Sequence, residues 1–169
     1  MLIDMILFLV TAACLYTDIT RRKIYNCVLF PAVLLAAGYH TWTGGMAGGW
    51  FSLRGLALGL ALLLIPYFAG GIGAGDVKLL ATIGSLKGPA FVLQAFLAGA
   101  IAGGVLALIY LLRDKRLPEV LRKTVTIFLL PAYPAGPGGA GRPPEEVKST
   151  TIPYGAAIAA GTLAAYLVR

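Results

Sequence analysis

The chain has 169 residues, of which 59% are hydrophobic and only 12% charged, far from the roughly half apolar and one quarter charged composition of a soluble domain. A formal charge of +7 would suit a nucleic-acid binder. However, the basic residues sit in the connections between apolar runs and are not interleaved with aromatics, which excludes a base-stacking surface. At roughly 20 apolar residues per crossing, the length accommodates about six transmembrane helices and no separate soluble domain, so the expected fold class is an all-α, polytopic membrane helix bundle forming one domain over residues 1–169.

The first apolar run, Leu2 to Thr17, ends at Asp18 and the basic stretch Arg21, Arg22 and Lys23. It lacks a basic start and a clear small-residue cleavage site, so it reads as a retained first helix rather than a signal peptide. A second run from Cys27 to Trp42 contains Pro31, which a membrane bundle tolerates. It leads into a glycine-rich connection, residues 43–49, flanked by Trp42 and Trp50 in the manner of an interfacial belt. The third run spans Phe51 to Phe68, with Arg54 placed to snorkel, and breaks at the glycines before Asp76. From Val77 to Leu112 one apolar tract is too long for a single span. Lys87-Gly88-Pro89 divides it into a short fourth helix of about a dozen residues and a fifth. Residues 113–150 are basic and then rich in proline and glycine, and are expected to form a partly mobile loop. Within it, residues 125–132 are apolar but too short to span. Ile152 to Val168 makes the sixth helix.

Orientation follows from the distribution of basic residues. The connections after helices one, three and five hold Arg21, Arg22, Lys23, Lys78, Arg113, Lys115, Arg116, Arg122, Lys123, Arg142 and Lys148, whereas the opposite side holds Arg54, Lys87 and Arg169. The positive-inside rule then puts both termini outside and Asp18 and Asp76 at one cytoplasmic edge.

Ionisable side chains at membrane depth are expensive and mark function. Asp18 ends one helix and Asp76 begins another, and helices can bring the two together. Two carboxylates a few angstroms apart do not both ionise easily, so they titrate as a pair that supplies one acid and one base. Such a dyad activates water against a peptide carbonyl and protonates the developing oxyanion without metal or cofactor. The glycines before Asp76, Gly73 and Gly75, are expected to use positive φ and their missing Cβ to admit an extended peptide backbone. Lys78 would either contact substrate, tune Asp76 or serve as a positive-inside anchor. Cys14 and Cys27 show no metal-ligand spacing and read as small hydrophobes. Asp4 and His40 read as residues of the outer interface, and Gln94 as a source of an interhelical hydrogen bond.

Gly73-Ala74-Gly75-Asp76 with Val77-Lys78 resembles the G-x-G-D-x-K/R signature of the type IV prepilin peptidases. Asp18 followed by Arg21-Arg22-Lys23 and Ile24-Tyr25-Asn26 resembles that family's first aspartate motif, with Tyr25 where proline is usual. Pro153-Tyr154-Gly155 is similar to the segment opening the family's last helix. The resemblance implies an aspartic endopeptidase that removes basic leader peptides from prepilins or pseudopilins at the cytoplasmic face of the cell membrane. It implies Asp18 and Asp76 as the catalytic pair, and Gly73, Gly75, Lys78, Pro153, Tyr154 and Gly155 as substrate-binding. The paired C-x-x-C insert of the larger, methylating members has no counterpart here, which implies a peptidase-only form. Two alternatives fit the same aspartates. One is a presenilin-like or signal-peptide-peptidase-like protease. The other is a non-enzymatic cation transporter or assembly scaffold with a cation at the helix break, which would be expected to show an internal repeat that this sequence lacks.

Overall fold

The computed structural model describes residues 1–21, 24–68, 72–113 and 154–167. Among them there are five helices and no strand: α1 (Leu2–Arg21), α2 (Asn26–Phe68), α3 (Ala74–Lys87), α4 (Pro89–Arg113) and α5 (Tyr154–Leu167). The all-α class expected from composition holds for these residues. The chain divides into one unit of Met1–Gly104 with Pro153–Arg169 and another of Val105–Ile152. Of the second unit only the end of α4 is among the described residues, so the loop expected over 113–150 and the apolar patch at 125–132 lie outside them.

Two helices, α1 and α2, are long and apolar enough to cross a membrane. Their outward faces carry Leu9, Phe30 and Ile65, each at least two-thirds exposed, a surface that only an apolar surrounding tolerates in such quantity. α2 has 43 residues. At about 1.5 Å per residue a straight helix of that length would run about 65 Å, twice the hydrocarbon thickness. It does not run straight. Gly45, at φ 58° and ψ −145°, breaks the helical geometry, and the two arms, 26–44 and 46–68, fold back on each other. The reversal is visible in the partners on α3. Along the first arm, Asn26 meets Lys78 and His40 meets Leu86, whereas along the second Ser52 meets Ser85 and Gly59 meets Leu80. The sequence predicts two separate helices joined by a glycine-rich connection over 43–49. The structure keeps that connection helical except at one residue, because a single glycine with positive φ suffices to reverse direction.

α3 is the centre of this unit. Every residue from Leu79 to Leu86 is buried, which explains how a helix of 14 residues is accommodated in a membrane bundle: its neighbours, rather than lipid, surround its body. The second arm of α2 packs on it backbone to backbone. A Cβ on Gly84 would run into the carbonyl of Gly55 and one on Gly55 into that of Gly84, while a Cβ on Gly59 would stand 2.6 Å from the carbonyl oxygen of Leu80. Small residues let helices approach this closely where no hydrophobic effect drives association. Ser52 and Ser85 add a buried hydroxyl pair at 2.7 Å. Gly84→Leu is therefore expected to destabilise the fold by about 3 kcal/mol or more, read as a fall in melting temperature in detergent. Gly38→Leu, where a Cβ meets nothing within 4 Å, should leave it nearly unchanged.

The turn expected at Lys87-Gly88-Pro89 is present. Gly88 takes φ 83° after the last residue of α3, and its amide bonds to the Gly84 carbonyl at 2.7 Å. At this end of the unit Asp4 accepts from Lys87 Nζ at 2.6 Å and from the Tyr166 hydroxyl at 2.5 Å, joining α1, α3 and α5. The Lys87 ammonium also lies 4.7 Å from the Tyr166 ring centroid. His40 Nε2 reaches the Leu86 carbonyl at 2.9 Å and its ring stands edge-on to Phe51. Asp4 and His40 thus tie helices together. Gln94, expected to join two helices, is exposed on α4.

Candidate active site

The end of the unit opposite Asp4 holds both sequence-predicted acids. α1 continues past Thr17 through Arg21, so Asp18 lies within its last turns instead of after them. Thr17 and Thr20 fold their hydroxyls onto the carbonyls of Cys14 and Tyr16, a local bonding that lets short polar side chains sit on an apolar helix. Asp76 is in the first turn of α3, where the exposed amides of a helix start favour negative charge. The carbonyl of Gly73 accepts from the amides of Asp76 at 3.1 Å and Val77 at 3.4 Å, closing that first turn.

The fold brings the two carboxyls within electrostatic reach of each other. Asp18 Oδ2 is buried and has no hydrogen-bond partner among the described residues. An oxygen in that condition is costly, by about 1–3 kcal/mol or more for a charged group, and such groups are retained where a reaction uses them.

Gly155, in the first turn of α5, is the residue that makes room for Asp18. A Cβ there would lie 2.5 Å from Asp18 Oδ2 and 3.1 Å from its Cγ. The carboxyl thus occupies the space a larger residue would fill. The neighbouring Pro153 and the side chain of Tyr154 lie outside the described residues. Gly75 faces Ile24, whose Cβ would stand 3.0 Å from a Cβ on the glycine, and Gly73 sits beside Asp76 Oδ2. Positive φ, expected at both, is used at neither: Gly73 is extended at φ −76°, ψ 149°, and Gly75 is inside α3. Among the described glycines only Gly45 and Gly88 have positive φ. The helix simply starts at Ala74, so what matters at Gly75 is the missing side chain and not the backbone freedom.

Lys78 is held away from the acids. It follows Asp76 by two positions, about 200° around the helix, and its Nζ donates to Asn26 Oδ1 at 3.1 Å. On the side of α3 that carries Asp76 there is an apolar cavity of about 140 Å³. Leu80, one turn below Asp76, and Ala157 and Ile158, just past Gly155, line it together with Ile72, Phe96 and Gly99. Sequence reasoning gave no hint of this cavity, because its walls come from four helices. The contact between Asp18 and Gly155 was equally hidden, since 137 positions separate the two in a chain whose glycines are frequent.

The chain matches the model of the type IV leader peptidase family over residues 5–108, more than half of its length. It belongs to that family. The matched stretch includes Asp18, Gly73, Gly75, Asp76 and Lys78 and ends before Gly155, so this glycine is drawn to the site by the fold alone. No curated protein and no solved structure matches the chain. Membership makes the protein a peptidase with prepilin-type substrates as its class, and sets aside the transporter and presenilin-like readings. Among the described residues no group of three or more histidine, cysteine, aspartate or glutamate side chains is placed to hold a metal.

Proposed function

We propose that this family member is an intramembrane aspartic endopeptidase that removes the basic leader of a prepilin or pseudopilin at the cytoplasmic face of the cell membrane, with Asp18 and Asp76 as its catalytic pair. What supports the reading is that these two carboxyls, on separate helices, lie within electrostatic reach of each other, and that one of them presents a buried oxygen with no described partner. In this scheme both arms of α2 cross the bilayer, giving six crossings and placing the dyad on the side favoured by the basic connections.

The pair starts with one proton. The ionised carboxylate takes a proton from a water molecule as its oxygen attacks the scissile carbonyl carbon, and the protonated partner gives its proton to the carbonyl oxygen. Collapse of the tetrahedral intermediate breaks the C–N bond. The amide nitrogen leaves with the proton that the first carboxylate had taken, and the gem-diol hydroxyl returns a proton to the pair. Products are the leader's carboxyl terminus and a new amino terminus, and the dyad again holds one proton. No cofactor enters this sequence.

Within this reading the missing side chains of Gly73, Gly75 and Gly155 leave room around the acids, and Tyr154 opens the helix that carries Gly155. Lys78, bonded to Asn26 on the far side of α3 from Asp76, is left outside the leader's path. The cavity below the dyad receives an apolar side chain flanking the scissile bond. Ala157→Leu, which would fill it, is expected to lower kcat/KM by about 10- to 100-fold for a substrate with a large apolar residue there, and much less for one with alanine. Steady-state kinetics on two such peptides in detergent checks this. The function itself is tested by co-expression with a prepilin bearing a basic leader. Processing by the wild type, lost in both aspartate-to-asparagine variants at equal expression, supports the reading, and no processing across several leaders would remove it.

A further inference from the structure

A second cavity, of about 460 Å³, opens on the face of α3 turned away from Asp76, between the two arms of α2. Phe30 and Val33 from the first arm and Leu56 and Leu60 from the second form its apolar walls. Among the described residues its polar lining at the end near the helix starts is Asn26 and Lys78, with Thr82 further along α3 bonded to its own helix through the Lys78 carbonyl at 2.8 Å. The Lys78 ammonium is exposed but not free to wander, being fixed at 3.1 Å by the Asn26 side chain. Arg21 stands nearby in the chain, with its guanidinium turned to the Tyr25 hydroxyl at 3.3 Å. The result is an apolar slot headed by a pinned cation.

The geometry points to a binding site for one anionic phospholipid, with its phosphate on Lys78 and Asn26 and an acyl chain between the arms of α2. Charge complementarity selects this occupant. A basic leader peptide would meet like charge at the mouth, whereas the phosphate of an anionic lipid meets a cation and an amide donor together. The slot is also headed on the side where the basic connections place the inner leaflet, in which anionic lipid is concentrated. Its walls require an apolar guest, and its cross-section between two helices of one hairpin suits a chain of methylenes. The proposal does not rest on the peptidase reading, since Asp76 faces the other way.

The test is native mass spectrometry of the full chain in detergent with phosphatidylglycerol or phosphatidylcholine of identical acyl chains. The expected result is one retained phosphatidylglycerol per chain, favoured over phosphatidylcholine by about fivefold. Lys78→Gln should erase the preference while leaving phosphatidylcholine retention unchanged, and Lys78→Arg should restore it. Val33→Trp, which blocks the slot from its rim, should reduce retention of both lipids. Equal retention of the two lipids by the wild type, or an undiminished preference in Lys78→Gln, would overturn the proposal. So would stoichiometric displacement of the lipid by an apolar helical peptide, which would make the slot a polypeptide site.

Discussion

Leader cleavage is expected to fall by about 10⁴-fold or more when either Asp18 or Asp76 becomes asparagine, with the protein still inserted and folded. Asparagine keeps the size of the side chain but at neutral pH neither takes up nor releases a proton, so it serves as neither base nor acid in the proposed sequence. The effect on stability should have the opposite sign from the effect on rate. Asp18 Oδ2 is buried without a described partner and the two carboxyls lie within electrostatic reach of each other, so a neutral amide at either position relieves the cost of keeping two carboxyls, with one proton between them, in a partly buried site. Melting temperatures of the two variants should equal or exceed that of the wild type. Residues essential for activity and neutral or unfavourable for stability are the mark of a site held for function. Single-turnover kinetics and thermal melts on the same preparations provide both readouts. Near-normal cleavage by Asp18→Asn would end the two-aspartate mechanism.

Gly155→Ala is expected to lower kcat/KM by about 100-fold although it adds one methyl group. That methyl would stand 2.5 Å from Asp18 Oδ2, far inside contact distance, so the carboxyl must rotate or α5 must withdraw. Since the obstacle is the end of a side chain, the cheaper response is for the carboxyl to turn. Misplacement of a reacting group by about 1 Å is enough for a loss of this size. The comparison that separates positioning from packing is Gly161→Ala on the same helix, where a Cβ would meet backbone atoms of Gly99 at 2.5 and 2.6 Å. Gly161→Ala should lower the melting temperature clearly. Gly155→Ala should lower it little while losing activity, with kcat falling more than KM changes. An active Gly155→Ala enzyme would show that Asp18 need not hold its place against α5.

Much of this architecture is written in local chemistry. Apolar runs of the right length, the Lys87-Gly88-Pro89 stop and the aspartates at run edges each depend on neighbours in sequence, and helix starts and stops were correspondingly near those expected. What local chemistry does not carry is the partner across a helix interface. Gly55, Gly84 and Gly161 look alike in the sequence, as does Gly38, yet three sit against another backbone and the last meets nothing. The same holds for the acids. Asp4 and Asp18 are on one helix, but the first is paired with Lys87 and accepts a hydrogen bond from Tyr166 while the second keeps an oxygen without a described partner. Lys78 illustrates the limit most directly: its place two residues after Asp76 suggests a shared role, and the helical rotation separates them.

The single reversal at Gly45 also governs sidedness. Under the six-crossing scheme, the number of crossings between Asp18 and Asp76 is even, so both carboxyls emerge on one face of the membrane. Gly45 adopts φ 58° and ψ −145°, a conformation that residues with a Cβ reach only under strain of about 1–3 kcal/mol. Were that reversal lost, the count would become odd, and Asp76 and Asp18 would face different compartments. A glycine at the far end of the unit, touching neither acid, therefore holds the parity on which the assembly of the proposed catalytic pair depends.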